Sequence, residues 1–98
     1  MFTENTVTTL TVAHTKDFKR DFVKLSLKQV LSPEFSEVMY LLQRNLTLPA
    51  KYKDHALKGE MAGYRDCHIF SDLVLIYRIV ENSRLELIRV NTHSEIFG

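Results

Sequence analysis

The sequence predicts an α+β domain in the order β-α-α-β-β-β, with two antiparallel helices packed on one face of a C-terminal antiparallel sheet. Three observations predict it. A β-branched stretch comes first, two segments with apolar residues at three- and four-residue spacing follow, and three alternating segments divided by turn residues come last.

Residues 6–12, TVTTLTV, are β-branched and weakly alternating, which predicts a short first strand. From Thr15 to Leu31, Phe18, Phe22 and Leu25 recur at helical spacing, and the Thr15 hydroxyl is placed to cap the first turn. Lys16, Arg20, Lys24 and Lys28 fall four apart and would form a basic stripe along one side of that helix. The stripe reads either as a solvated face or as a track for an RNA backbone. Ser32-Pro33-Glu34 opens a second helix: serine caps, proline has its φ preset for the first position, and glutamate suits the positive end of the dipole. Its apolar face is Phe35, Val38, Met39, Leu42 and Leu46, and Leu48-Pro49 ends it. A short connection makes the two helices antiparallel neighbours. Residues up to Glu60 show no clean period and read as a loop. Tyr64–Phe70, Leu73–Val80 and Arg84–Val90 read as strands joined by turns at Ser71-Asp72 and Glu81-Asn82-Ser83. LVLIYRIV, apolar on both faces, is expected at the centre of the sheet.

Composition bounds the function. Ninety-eight residues with 45% hydrophobic and 26% charged content fit one globular domain over 1–98. A net charge of +1 does not by itself announce a nucleic-acid partner, so any such reading rests on where the charges sit. Cys67 is alone, which excludes an internal disulfide and fits a reducing, cytoplasmic setting. The apolar run Leu73–Tyr77 is too short to span a bilayer, and MFTENTVTT lacks the apolar core of a secretory leader, so no membrane association is expected.

The chemistry concentrates between Leu48 and Asp72. This stretch holds His55 and His68, three acids able to partner them (Asp54, Asp66 and Asp72), and the cations Lys51, Lys53, Lys58 and Arg65. His93 and Arg89 follow near the end. Period-2 alternation puts Asp66 and His68 on one face and Arg65 and Cys67 on the other; in the last strand it groups Leu85, Leu87, Arg89 and Asn91. His68, Arg89 and His93 can then meet on the open face, with His55 at the rim. Such a set suits RNA cleavage. Histidine, with a pKa of about 6.5, can take the proton of a ribose 2′-hydroxyl or protonate the leaving oxygen. Arginine offers a fixed fork of donors to the extra negative charge on phosphorus, and an aromatic such as Tyr64 or Phe97 can stack on a base. Each histidine taken alone also reads as an ordinary surface residue, and Arg89 as a partner of Glu86 or Asp66. His68-x-x-x-Asp72 matches no compact zinc motif, so neither metal nor other cofactor is expected.

The words LPAKYKDHALKG, GYRDCHI, LVLIYRI and the closing R-x-x-THS-x-x-F resemble those of the YafQ branch of the RelE/ParE superfamily, the toxin halves of bacterial type II toxin–antitoxin pairs. They cover about half the chain, in order and at the family's spacing. The resemblance implies a RelE-like fold and a ribosome-dependent, metal-independent endoribonuclease, an mRNA interferase that cuts mRNA in the ribosomal A site. It also implies a cognate antitoxin as partner, with the toxin monomeric when free and part of a hetero-oligomer when silenced. Position by position it assigns catalysis to His55, His68, Asp72, Arg89 and His93. His93 would be the general acid, His55 or His68 with Asp72 the base and orienting groups, and Arg89 the stabiliser of the phosphorane. Lys53, Arg65 and Phe97 would contact RNA. Leu73, Ala56 and Asn91 replace a tryptophan, a proline and a glycine of the family words. Two other readings share the fold: a ParE-like toxin that binds gyrase, and a degenerate toxin that binds only its antitoxin.

Overall fold

The largely apolar stretch Leu73–Val80, interrupted only by Arg78, forms the middle strand (β4) of a five-stranded sheet in the computed structural model, which describes residues 9–98. Around it lie β1 (Thr11–His14), α1 (Lys16–Phe22), α2 (Leu27–Val30), α3 (Pro33–Gln43), β2 (His55–Ala56), β3 (Arg65–Phe70), β5 (Arg84–Thr92) and α4 (His93–Phe97). The strand order is β1-β5-β4-β3-β2. All neighbours are antiparallel except β1 and β5, which run parallel from Thr11 opposite Arg84 to His14 opposite Leu87. The α+β architecture is the predicted one. Of the expected first strand, residues 6–8 lie outside the described residues, and the strand found starts at Thr11, where backbone pairing to β5 begins.

The helices cover one face of the sheet. Phe18 of α1 and Phe35, Val38 and Leu42 of α3 join Cys67, Ile69, Leu73, Leu75, Tyr77, Leu85, Leu87 and Val90 in one buried cluster. Phe22 lies 5.7 Å from Phe18 and 6.2 Å from Phe35, ring centre to ring centre, and links the two helices. Tight turns set the hairpins. Ser71 takes φ 48°, and Glu81 and Asn82 take φ 53° and 54°, the left-handed geometry that matches the twist of paired strands.

Four local expectations are corrected. Thr15 to Leu31 is not one helix: α1 stops at Phe22, and α2 starts anew at a capping box in which Ser26 Oγ accepts from the Gln29 N–H and Gln29 Oε1 accepts from the Ser26 N–H. Lys24 therefore lies in a turn and Lys28 on a separate helix, so Lys16, Arg20, Lys24 and Lys28 do not share a helix face. Next, α3 ends at Gln43 rather than near Leu48. Asn45 turns left-handed (φ 57°) and the Leu46 N–H closes on the Leu41 carbonyl, which leaves Leu46 outside the helix. The supposed loop contains 3₁₀ turns at Ala50–Tyr52 and Gly59–Met61 and the two-residue strand β2, too short to alternate visibly. Finally, β5 carries a bulge. Ile76 faces Arg89 while Tyr77 faces Leu87, so Ile88 has no partner on β4. Parity switches there: Leu85, Leu87 and Val90 all enter the core, and Arg89 and Asn91 turn to the other face.

Leu75 is fully buried at the centre of the cluster. Leu75→Ala is expected to lower the unfolding free energy by about 3 kcal/mol in a urea titration, the range for a leucine cavity that cannot collapse.

Candidate active site

The strand register lines up side chains on the sheet face away from the helices. One row crosses four strands: His55, Asp66, Ile76 and Arg89. A second row crosses three: His68, Val74 and Asn91. Val74 and Ile76 are fully buried and form an apolar floor under the polar groups. Leu73 pairs with Thr92, so Asp72, in the turn just before it, and His93, at the start of α4, lie at the same end of the face. The five residues assigned to catalysis thus occupy one side and one end of the sheet.

The histidines differ in their surroundings. His55 Nδ1 lies 2.8 Å from the Lys53 carbonyl. A carbonyl only accepts, so Nδ1 carries the proton and Nε2 keeps its lone pair in the neutral ring. The loop holding His55 is pinned from the other side of the sheet. Arg65 Nε and Nη2 and the Tyr77 hydroxyl donate to the Asp54 carboxylate, and Lys53 turns left-handed (φ 52°) between that anchor and the 3₁₀ turn before it. The Asp54 carboxylate that accepts from Arg65 holds its charge in place and raises its pKa, while burial and Asp54 push the Tyr77 phenol up. His68 sits with its ring centre 6.5 Å from that of His55, and its Nε2 is 3.5 Å from Asp66 Oδ1. His93 is exposed, with its ring 4.8 Å from that of Phe97.

Two acids that received no assigned role organise this set. Asp66 is buried, and its Oδ1 accepts no hydrogen bond among the described residues. Burial raises its pKa, and His55, His68 and His93 each pull it back down, which places the carboxylate within the field of all three rings. Its alternation with His68 was the sequence signal for it. Asp21, on α1, is also buried. It accepts from Arg89 Nε at 2.6 Å and Nη2 at 3.2 Å, from the Val90 N–H at 3.1 Å and from Asn91 Nδ2 at 3.1 Å. Burial alone would raise the Asp21 pKa, but these donors, Arg89 foremost, outweigh it and hold the carboxyl below the usual range. Arg89 thus pairs with neither Glu86 nor Asp66. Glu86 takes Arg78 and Arg84 instead. The signal for Asp21 was an acid three residues after the buried Phe18, on the inward side of α1. Asn91 uses its own carbonyl to accept from the Thr92 N–H at 2.8 Å, so the side chain that replaces a glycine fixes the lead into His93.

Other expected contacts are placed elsewhere. Arg65 lies on the helix-covered face, with its fork taken by Asp54, and is not brought to the histidines. Lys53 and Phe97 are exposed near His55 and His93 respectively. Arg20 is drawn onto Asp17 at 3.0 Å, while Lys16, Lys24 and Lys28 are exposed. A groove of about 560 Å³ beside α2, lined by Leu27, Leu31, Pro33 and Phe70, is separate from the two rows.

Residues 10–98 match the family described as the bacterial toxin of type II toxin–antitoxin system, YafQ. The mRNA interferase toxin YafQ of Escherichia coli is 35% identical over 91 residues, which span 89% of this chain and 95% of that protein. Among solved structures, a chain of the Escherichia coli DinJ–YafQ complex superposes with a TM-score of 0.75 at 37% identity, over 91% of this chain and 99% of that one. A copper-bound variant toxin from Helicobacter pylori gives a TM-score of 0.79 at 38% identity, over 90% and 99%.

The raised pKa of Asp66 has a consequence for stability. A buried acid that prefers its proton destabilises the fold increasingly as pH rises above its ordinary value of 3.8, in full above its folded-state titration, and ceases to do so well below 3.8, where it is protonated in both states. Asp66→Asn is therefore expected to be more stable than the parent at pH 7, by about 1 kcal/mol. The gain should vanish by about pH 3 in paired thermal melts. An equal gain at both pH values would show that charge burial is not its source.

Proposed function

The chain belongs to the YafQ family of bacterial toxins of type II toxin–antitoxin systems, and on that premise we propose that it is an endoribonuclease that cuts mRNA in the ribosomal A site and is silenced by a cognate antitoxin. The observation that carries this reading is the meeting of His55, His68 and Arg89 on one sheet face around Asp66, with His93 and Asp72 at its end. The naming of an Escherichia coli relative as an mRNA interferase and the solved DinJ–YafQ complex support the activity and the protein partner. A single domain over 1–98, monomeric when free and working in the cytoplasm where translation runs, completes the proposal.

In this mechanism His55 is the general base. With its Nδ1 proton committed to the Lys53 carbonyl, Nε2 takes the proton of the ribose 2′-hydroxyl. The 2′-oxygen forms a bond to phosphorus, and the phosphorane's added negative charge is met by Arg89. The P–O5′ bond breaks, and His93, protonated at the start, supplies the leaving oxygen with its proton. The products are a 2′,3′-cyclic phosphate and a 5′-hydroxyl. His68, steadied by the Asp66 carboxylate, and Asp72 orient the substrate. Phe97, next to His93, offers a stacking face, and Lys53 a cation for the backbone. Arg65 enters as the anchor of the His55 loop, not as an RNA contact. The exposed Lys16, Lys24 and Lys28 are proposed to meet ribosomal RNA.

Induction in cells with mRNA 5′ ends mapped tests the proposal. The parent should produce in-frame cuts and growth arrest, while His93→Ala and Arg89→Ala should each reduce the cuts by about 100-fold or more. Parent-level cutting by both variants would remove them from the mechanism. Arrest without cuts would transfer the protein to the gyrase-binding class.

A further inference from the structure

We propose that Asp21 is a positioning residue for the cleavage chemistry: from α1 it sets the Arg89 guanidinium and the approach to His93. The inference rests on the ribonuclease reading above and goes beyond it, since Asp21 lies outside the words that carry the family resemblance. Arg89 Nε and Nη2 are both held by the Asp21 carboxylate, and Nη1 makes no hydrogen bond among the described residues. A free arginine side chain samples many rotamers, whereas one gripped through Nε and one terminal nitrogen presents the other in a fixed direction. That is the condition for a cation to act on charge that appears only in the transition state.

A second path runs through Asn91. Asp21 Oδ1 accepts from Asn91 Nδ2, and Asn91 Oδ1 accepts from the Thr92 N–H, at the residue that caps α4 and precedes His93. One carboxylate therefore orders two of the groups assigned to catalysis without touching the substrate. A purely structural anchor for the β5 edge would need only an acceptor for the Val90 N–H, which an amide oxygen also provides. The charge is what the arginine fork requires.

The test uses the purified toxin on ribosomes programmed with mRNA, comparing the parent, Asp21→Asn, Arg89→Ala and the double variant. Single-turnover cleavage, ribosome affinity and melting temperature are measured for each. Asp21→Asn is expected to slow cleavage by about 10- to 100-fold, the range for a group that orients a reacting one. Ribosome affinity should stay within about twofold, and the change should cost clearly less in the Arg89→Ala background than in the parent, the remainder being the path through Asn91 to His93. A parent-like rate for Asp21→Asn beside an impaired Arg89→Ala would overturn the positioning role and leave the ribonuclease reading intact. So would losses that multiply in the double variant, since Asp21 would then act through the fold. A parent that fails to cleave would remove the ribonuclease reading and this role with it. If Asp21→Asn does not fold, Asp21→Glu keeps the charge and the edge acceptor but shifts the fork by one methylene. A parent-like rate from folded Asp21→Glu would overturn the role as well.

Discussion

Much of this structure depends on how the edge of β5 is closed. β1 accompanies β5 only as far as Leu87, so the backbone groups beyond have no strand beside them on the side away from β4. The first turn and the last turn of α1 supply the missing partners. Thr15 donates its N–H to the Leu87 carbonyl and its hydroxyl to the Ile88 carbonyl, and Asp21 accepts the Val90 N–H. A seven-residue helix has little stability of its own, and here it is fastened at both ends to the strand it covers. The same groups hold the bulge at Ile88. Without that extra residue Arg89 would point into the core beside Leu87, or Val90 would be lost from it.

The site combines an apolar floor with polar groups held under tension. Val74 and Ile76 keep water out from below, and Asp66 is left with an oxygen that no described donor satisfies. A buried, underpaired carboxylate is unfavourable for folding. Its persistence on the face that carries the histidines fits a site in which stability is given up for function. Across the sheet, Asp54, Arg65 and Tyr77 do the opposite work: they are well paired, on the helix side, and make the His55 loop rigid.

What could be read from residues alone divides along physical lines. The middle strand, the two hairpins and the start of α3 were legible because each depends on neighbours in sequence: an apolar run, turn residues, or a serine, proline and glutamate in order. The break between α1 and α2 was also written locally, in Ser26 and Gln29, but the spacing of Phe18, Phe22 and Leu25 masks it. The Ile88 bulge was not legible. No residue type marks it, because it is fixed by contacts with Thr15 and Asp21 more than sixty positions away. The face of Arg89 and its partner depend on that bulge, so alternation grouped it with Leu85 and Leu87. Asp66 was visible beside His68, but its burial without a partner is a property of the assembled face.

The parallel pairing of β1 with β5 also bears on the order in which the candidate site can be put together. β5 is the last strand to be synthesised, yet it lies inside the sheet, with β4 on one side and β1 on the other. Asp21 waits for a partner 68 residues further on. Until β5 emerges, β1 has no strand to join, α1 has no edge to cover, and neither Arg89 nor His93 exists to be placed. Contacts of such long sequence separation form late, after the local hairpins. The rows of side chains that converge on Arg89 and Asn91 are therefore complete only once β5 has paired on both sides.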